Sequence, residues 1–280
     1  MGDEPRFLVI PAAGLGTRMQ SVNPEVPKEM LPLGTKPPIQ YTVEEGLSAG
    51  IQNIIIIISK KKEIIRRYFE DRAFAGELFP DALAQWENIE KKCTITYLYQ
   101  QEPKGESDAI SYARDIVNAH SLAIHYPDNI YSPAPGALKR LKSVYEYYRE
   151  DVAALMEVKE QYAAGIGNSG RVDLTPVRDN VYRIERFHPK GQGHFVPRFK
   201  GELRTCGIAI SGPHIFDYIE RACASIAEAE FTDVPVRSLM LKEKGLLGVR
   251  LPGMVFDVGN PDGYKLCLKY IRDYGKDKRV

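Results

Sequence analysis

The sequence is poor in cysteine. Cys93, Cys206, Cys223 and Cys267 are far apart and form no C-x-x-C pair. This spacing argues against a zinc site or a redox pair and fits a reducing compartment. Long apolar runs are also missing: the longest, residues 54–58, is far too short to span a bilayer. The acidic opening MGDEPRF does not read as a secretory leader. A cytoplasmic protein without a membrane segment is therefore expected. There is no excess of one charge, since 38 basic residues face 37 acidic ones for a net charge of +1. A nucleic-acid surface would usually show a basic excess, so no nucleic-acid partner is expected. Acidic small ligands stay open, because they need only local positive charge. The five histidines show no nucleophile or metal spacing.

What is present is an ordinary globular balance, 44% hydrophobic and 27% charged. The 280 residues suit one large α/β domain or two smaller ones. No repeat, low-complexity segment or convincing linker divides the chain, so a single domain over residues 1–280 is expected.

Residues 7–10 predict a short buried strand, and residues 12–16 a glycine-containing turn. Residues 39–49 carry Ile39, Val43 and Leu47 at helical spacing and stop at Gly50. Residues 53–58, NIIIII, are apolar almost throughout, which marks a strand covered on both faces and hence a parallel sheet. Strand, helix and strand in the first sixty residues make a βαβ unit. The alternation goes on with helices at 63–69, 108–118 and 137–150 and strands at 94–99, 121–126 and 152–158. It predicts a doubly wound sheet whose ligands sit at the carboxyl ends of its strands. Beyond residue 159 the texture changes. Loops are expected at 165–170 and 191–193, strands at 181–187, 205–210, 247–251 and 254–256, and helices at 214–229, 236–244 and 266–274.

Two segments carry chemistry. The first is PAAGLGTRM, residues 11–19, directly after the first strand. Ala12, Ala13, Gly14 and Gly16 let backbone N–H groups approach a ligand, which suits a triphosphate, and Arg18 supplies a fork of donors for phosphate oxygens. It is neither the dinucleotide fingerprint nor a P-loop, because the third glycine and the G-K-[ST] ending are absent. Alone it also reads as a plain strand-to-helix turn. The second segment is PKEMLPL, residues 27–33, which sets Lys28 after a proline-fixed turn. A lysine there can neutralise charge on the α-phosphate as pyrophosphate departs, although a single lysine reads equally as a solvated loop residue.

Together, AAGLGTRM…PKEMLPL…KPPIQYTVEEGLSAGI looks very like the opening of bacterial UTP–glucose-1-phosphate uridylyltransferases, members of the wider sugar-nucleotidyltransferase family. The likeness is nearly continuous from Ile10 to Ile51 and returns in pieces to the C-terminal helix.

The resemblance implies a Rossmann-like α/β nucleotidyltransferase fold: a doubly wound, mostly parallel but mixed sheet with a sugar-binding subregion. Residues to about 160 would form the nucleotide-binding half, and residues from about 161 the sugar-binding and C-terminal part. It implies that a nucleoside triphosphate and a sugar 1-phosphate are converted to a nucleotide sugar and pyrophosphate with Mg²⁺, UTP and glucose 1-phosphate being the default pair. Lys28 and Arg18 would serve the triphosphate.

The family's base-reading Q-x-x-x-x-G falls on Gln100 and Gly105. GESDA follows where close uridylyltransferases have G-L-G-H-A, which keeps dTTP and CTP open as alternatives to UTP. The metal ligands would be Asp128, in HYPDNI, and Asp257, in FDVGNPDG; each alone reads as a turn or cap residue. On the sugar side Gly170 matches the family's glycine loop. Glu185 and Arg186 stand where V-E-K-P has its Glu and Lys, and Lys190 is a second candidate cation. Residues 228–233, EAEFTD, echo the family's E-I-Q-L-T-D as a structural or lid segment. A homo-oligomer is expected. Other readings are a thymidylyl- or cytidylyltransferase, a different sugar phosphate, or a non-catalytic protein that binds nucleotide sugars.

Overall fold

The computed structural model describes residues 4–225 and 232–274. Eleven strands appear in chain order: β1 Phe7–Pro11, β2 Asn53–Ile58, β3 Thr94–Tyr99, β4 Leu122–His125, β5 Asn129–Ser132, β6 Val152–Glu157, β7 Val172–Arg178, β8 Val181–Phe187, β9 Leu203–Ser211, β10 Leu247–Arg250 and β11 Met254–Asp257. Nine form one sheet in the order β3-β2-β1-β4-β9-β6-β10-β8-β7, while β5 and β11 pair separately. Strands β3, β2, β1 and β4 are parallel. The flanking pairings make β9 and β8 the two strands that run against the rest. The sheet is therefore mixed and mostly parallel, with strands from both halves of the chain interleaved.

The apolar run of β2 is buried because helices cover both of its faces. Ile54, Ile56 and Ile58 pack with Leu8, Ile10, Tyr68 and Trp86 on one face. Ile55 and Ile57 pack with Val9, Ile110, Ile219 and Met240 on the other. Full cover lets a strand be apolar throughout instead of alternating.

The parallel strands set the position of the cleft. β1 hydrogen-bonds β2 on one side and β4 on the other, so the chain departs in opposite directions from their carboxyl ends. Such a switch point opens a crevice. The turn after β1 and the segment Tyr126–Pro127–Asp128 after β4 are its two lips.

Some elements differ from the sequence reading. The helix expected at 108–118 is two short ones, Glu106–Ser111 and Arg114–Val117. Helices Arg72–Leu78 and Leu83–Lys92, and strand β7, were not expected. The last helix starts at Pro261, whose fixed φ suits a first turn. Residues 228–231 of the EAEFTD echo, and the end of the helix expected at 214–229, lie outside the described residues. Among the described residues no helix is long and apolar enough to cross a membrane.

Candidate active site

The switch-point crevice is a cleft of about 490 Å³. Its first wall is the turn after β1. The Ala12 N–H donates to the Ile57 carbonyl at 2.8 Å, which carries the β1–β2 pairing into the turn. A Cβ on Gly14 would meet nothing within 4 Å, so this position faces open space in the cleft. Gly16 has φ +65°, a left-handed conformation that favours glycine, and the Lys28 stem runs beneath it. Arg18 sits exposed at the rim, in the single turn Thr17–Met19.

A buried ion pair supports this wall from below. Lys62 Nζ donates to both Glu29 carboxylate oxygens, at 2.9 and 2.8 Å, and to the Ala12 carbonyl at 2.7 Å. Burial lowers the Lys62 pKa, against the pull of Glu29. All three ammonium donors are matched, so the PKEM segment and the turn are fixed to one another.

Lys28 then points at the second lip. Its Nζ lies 2.5 Å from Asp128 Oδ2. Burial acts to lower the Lys28 pKa, but Asp128, Glu29 and Asp257 together raise it above the usual lysine range. Burial likewise acts to raise the Asp128 pKa, and Lys28 and Arg18 outweigh it and hold the carboxyl below its ordinary value. Both groups are charged at neutral pH.

Asp128 and Asp257 meet because β5, directly after Asp128, pairs antiparallel with β11, which ends at Asp257. The Val258 N–H donates to the Asp128 carbonyl at 2.8 Å, continuing the ladder. A Cβ on Gly259 would stand 2.5 Å from Asp128 Oδ2 and 3.2 Å from Asp257 Oδ1, so the two carboxylates converge over a glycine. Asp257 accepts the Gly167 and Gly259 N–H groups, each at 3.1 Å, and Asp128 Oδ1 accepts Asn129 Nδ2 at 2.8 Å. Two carboxylates held this way suit a cation that completes its shell with phosphate oxygens and water. Among the described residues there is no cluster of three or more such ligands.

Gln100, directly after β3, also lines the cleft. Its Nε2 donates to the Gly105 carbonyl at 3.1 Å and to Asp108 Oδ2 at 2.6 Å. Asp108 therefore orients this amide. Gly105, at φ +108°, makes the sharp entry to the helix that follows.

The sugar-side residues divide. Gly170 has φ +75°, and a Cβ there would lie 2.4 Å from the Thr205 carbonyl, so only glycine fits against β9. Lys190 lines the cleft and pairs with Glu106 at 3.0 Å. Burial raises the Glu106 pKa and Asp233 adds to it, against Lys190. Glu185 and Arg186 are both exposed and lie off the cleft wall. The expectation of Glu185 and Arg186 as pocket residues is corrected here. The β7–β8 register slips so that Arg186 pairs with Asp173 and Ile184 with Leu174, leaving Glu185 as the extra residue of a bulge. A bulge breaks the two-residue alternation, and two consecutive side chains face solvent before Phe187 turns in.

Sequence reasoning missed Tyr126, Arg237 and Arg204, which all line the cleft. The Tyr126 hydroxyl donates to Asp233 Oδ2 at 3.4 Å, and Arg237 Nε donates to the same oxygen at 2.8 Å. No motif marks these residues. Arg204 in particular reads as one polar residue of an alternating strand.

The nucleotidyl transferase family model matches residues 8–201. The UTP–glucose-1-phosphate uridylyltransferase of Staphylococcus haemolyticus is 32% identical over 269 residues, which is 94% of this chain and 91% of the relative. The enzyme of the same name from Staphylococcus epidermidis is 31% identical over the same share of each chain. Among solved structures, a UDP-glucose pyrophosphorylase complexed with UDP-glucose superposes with a TM-score of 0.81 at 25% identity, covering 96% of this chain and 99% of that one.

Proposed function

This chain belongs to the nucleotidyl transferase family, and on that premise we propose that it joins UTP to glucose 1-phosphate, giving UDP-glucose and pyrophosphate. One observation carries the reading: Lys28, Asp128 and Asp257 converge at the switch point beside the Ala–Gly turn. The names of the full-length relatives supply the substrates.

The reaction needs no covalent enzyme intermediate. A phosphate oxygen of glucose 1-phosphate attacks the α-phosphorus of UTP, and the bond to the pyrophosphate oxygen breaks in line with it. The backbone of residues 12–16 receives the triphosphate. Arg18 closes over it from the rim. Lys28, held by Asp128, neutralises charge that builds on the departing pyrophosphate. Asp128 and Asp257 are the groups to hold Mg²⁺, which when bound screens the phosphates and aligns them. Gln100 supports a uracil base. Both partners of its Nε2 are acceptors, so Oε1 is the end left to accept from a ligand, and the N3–H of uracil is such a donor where cytosine has none. Glu106, Lys190 and Gly170 stand on the sugar side. The four free thiols fit a cytoplasmic protein.

The test is pyrophosphate release with UTP, dTTP, CTP and ATP, each against several sugar 1-phosphates, with and without Mg²⁺. UTP with glucose 1-phosphate in the presence of Mg²⁺ is expected to lead. Preference for dTTP would reassign the base. Absence of pyrophosphate from every pair would overturn the reading in favour of a binding protein.

A further inference from the structure

Arg204 is the second residue of β9, lines the cleft and is 5% exposed. Its Nε donates to the Thr205 carbonyl at 2.9 Å, and the Phe195 ring lies 6.0 Å from its guanidinium carbon. A guanidinium has five N–H donors, so this leaves most of the fork uncommitted. Among the described residues no carboxylate lies within ion-pair distance of it. The other buried or half-buried cations around the cleft are matched, Lys28 by Asp128, Lys62 by Glu29 and Arg237 by Asp233, and the exposed Lys190 pairs with Glu106. Arg18 needs no match because it is exposed at the rim.

An unmatched buried cation is expensive. Burial pushes the Arg204 pKa down, and Asp257 and Asp128, acting from farther off, only partly offset it. Those two carboxylates put Arg204 near the reacting centre, and its position in the sheet says on which side. β9 lies across β4 from β1 and its phosphate turn. Against it stands Gly170, where a Cβ would be 3.3 Å from Arg204 Nε. In-line transfer sets the entering and leaving oxygens on opposite sides of the α-phosphorus. With pyrophosphate departing over residues 12–18, the attacking phosphate enters from the β9 side.

We infer that Arg204 binds the phosphate of the sugar 1-phosphate, its fork taking two oxygens, and that the substrate brings the counter-charge the fold leaves out. The inference rests on the reaction proposed above. It also supplies the sugar-phosphate cation that Arg186, exposed on β8, does not.

The experiment uses Arg204→Met, which keeps length and removes charge, and Arg204→Lys, which keeps charge and loses the fork. KM for glucose 1-phosphate is measured at saturating UTP, KM for UTP at saturating glucose 1-phosphate, and each melting temperature with and without glucose 1-phosphate. In Arg204→Met, KM for glucose 1-phosphate should rise about tenfold to a hundredfold, the loss of charged hydrogen bonds. KM for UTP should stay within about twofold, since uniform loss at one substrate leaves the other alone. Arg204→Lys should fall between, and any rise in melting temperature that glucose 1-phosphate gives the native chain should shrink in both. An unchanged KM for glucose 1-phosphate in active variants would overturn the inference and leave the reaction standing, and so would an equal rise in both KM values. If Arg204→Met does not fold, Arg204→Lys decides alone: no rise in its glucose 1-phosphate KM refutes the assignment. A native chain that releases no pyrophosphate from any pair would take down the reaction and the inference together.

Discussion

The two walls of the cleft treat charge differently. On the triphosphate wall the ligand-facing groups are largely backbone, and the lysines around them are matched from within the chain, Lys62 by Glu29 and Lys28 by Asp128. On the wall proposed for the sugar phosphate, Arg204 is buried with no carboxylate at ion-pair distance among the described residues, and Glu106 has a raised pKa that Lys190 only partly offsets. A matched wall is rigid before its ligand arrives, which is what stabilising a developing charge requires. An unmatched wall is completed by its ligand, and ties its own stability to occupancy.

This contrast is most easily broken at Lys62. Lys62→Met strands the Glu29 carboxylate in the core beneath the phosphate turn. Denaturant unfolding should show a loss of about 3–5 kcal/mol, as for a buried pair deprived of one partner. A loss under about 1 kcal/mol, the range of a surface pair, would show that the wall is not held together by this pair.

The next largest effect is on turnover. Lys28→Ala should lower kcat roughly a hundredfold to a thousandfold while changing sugar-phosphate affinity far less. Unchanged turnover would make Lys28 a bystander. Its charge is robust to pH. The lowered Asp128 pKa means that its stabilising effect is present above the unfolded carboxylate value and lost only as pH falls through a still lower one. The raised Lys28 pKa means that its effect is complete below the unfolded lysine value and lost only as pH rises through a still higher one. A pH series of unfolding should therefore show a constant contribution from this pair, with no pH dependence, between about pH 5 and 9, given ordinary carboxylate and lysine values near 4 and 10.

A smaller effect concerns the base. Asp108→Asn removes the acceptor that fixes the Gln100 amide, and an asparagine can partner either end of it. The kcat/KM ratio for UTP over CTP should fall, by about tenfold if one hydrogen bond carries the discrimination. An unchanged ratio would remove Gln100 from base reading.

The smallest effect lies on the sugar wall. Glu106 has a folded pKa above its unfolded value, so the native state loses stability as pH rises from the unfolded value through the folded one. Glu106→Gln should offset this, raising Tm at pH 7 by about 1–2 °C and leaving it unchanged near pH 3. A lower Tm at pH 7 would mean that the pair with Lys190 outweighs the burial of its carboxylate, and the walls would then differ less.

Much of the triphosphate wall was legible in the sequence because its physics is local. A strand, small residues and a left-handed glycine follow one another at Val9 to Gly16, and the run at 54–58 announces a sheet covered on both faces. Asp128 and Asp257 were legible only through resemblance, since neither neighbourhood shows that β5 and β11 will pair. The sugar wall was read less well. Arg186 falls in the right place along the chain, and the bulge at Glu185 turns it away; a bulge leaves no mark in an apolar–polar pattern. Arg204 gave no signal, because its burial depends on Gly170 and Phe195, brought to it by folding.

The β5–β11 pairing also bears on how the molecule is made. A ribosome delivers the turn after β1, Lys28 and Asp128 well before Asp257 and Gly259. The four parallel strands β1 to β4 are synthesised long before β11, which alone brings Asp257 to its place. Until then the chain carries the turn after β1, Lys28 and Asp128 without the second carboxylate. A chain that stops short of Met254 therefore lacks β11, and with it the strand that carries Asp257 to Asp128.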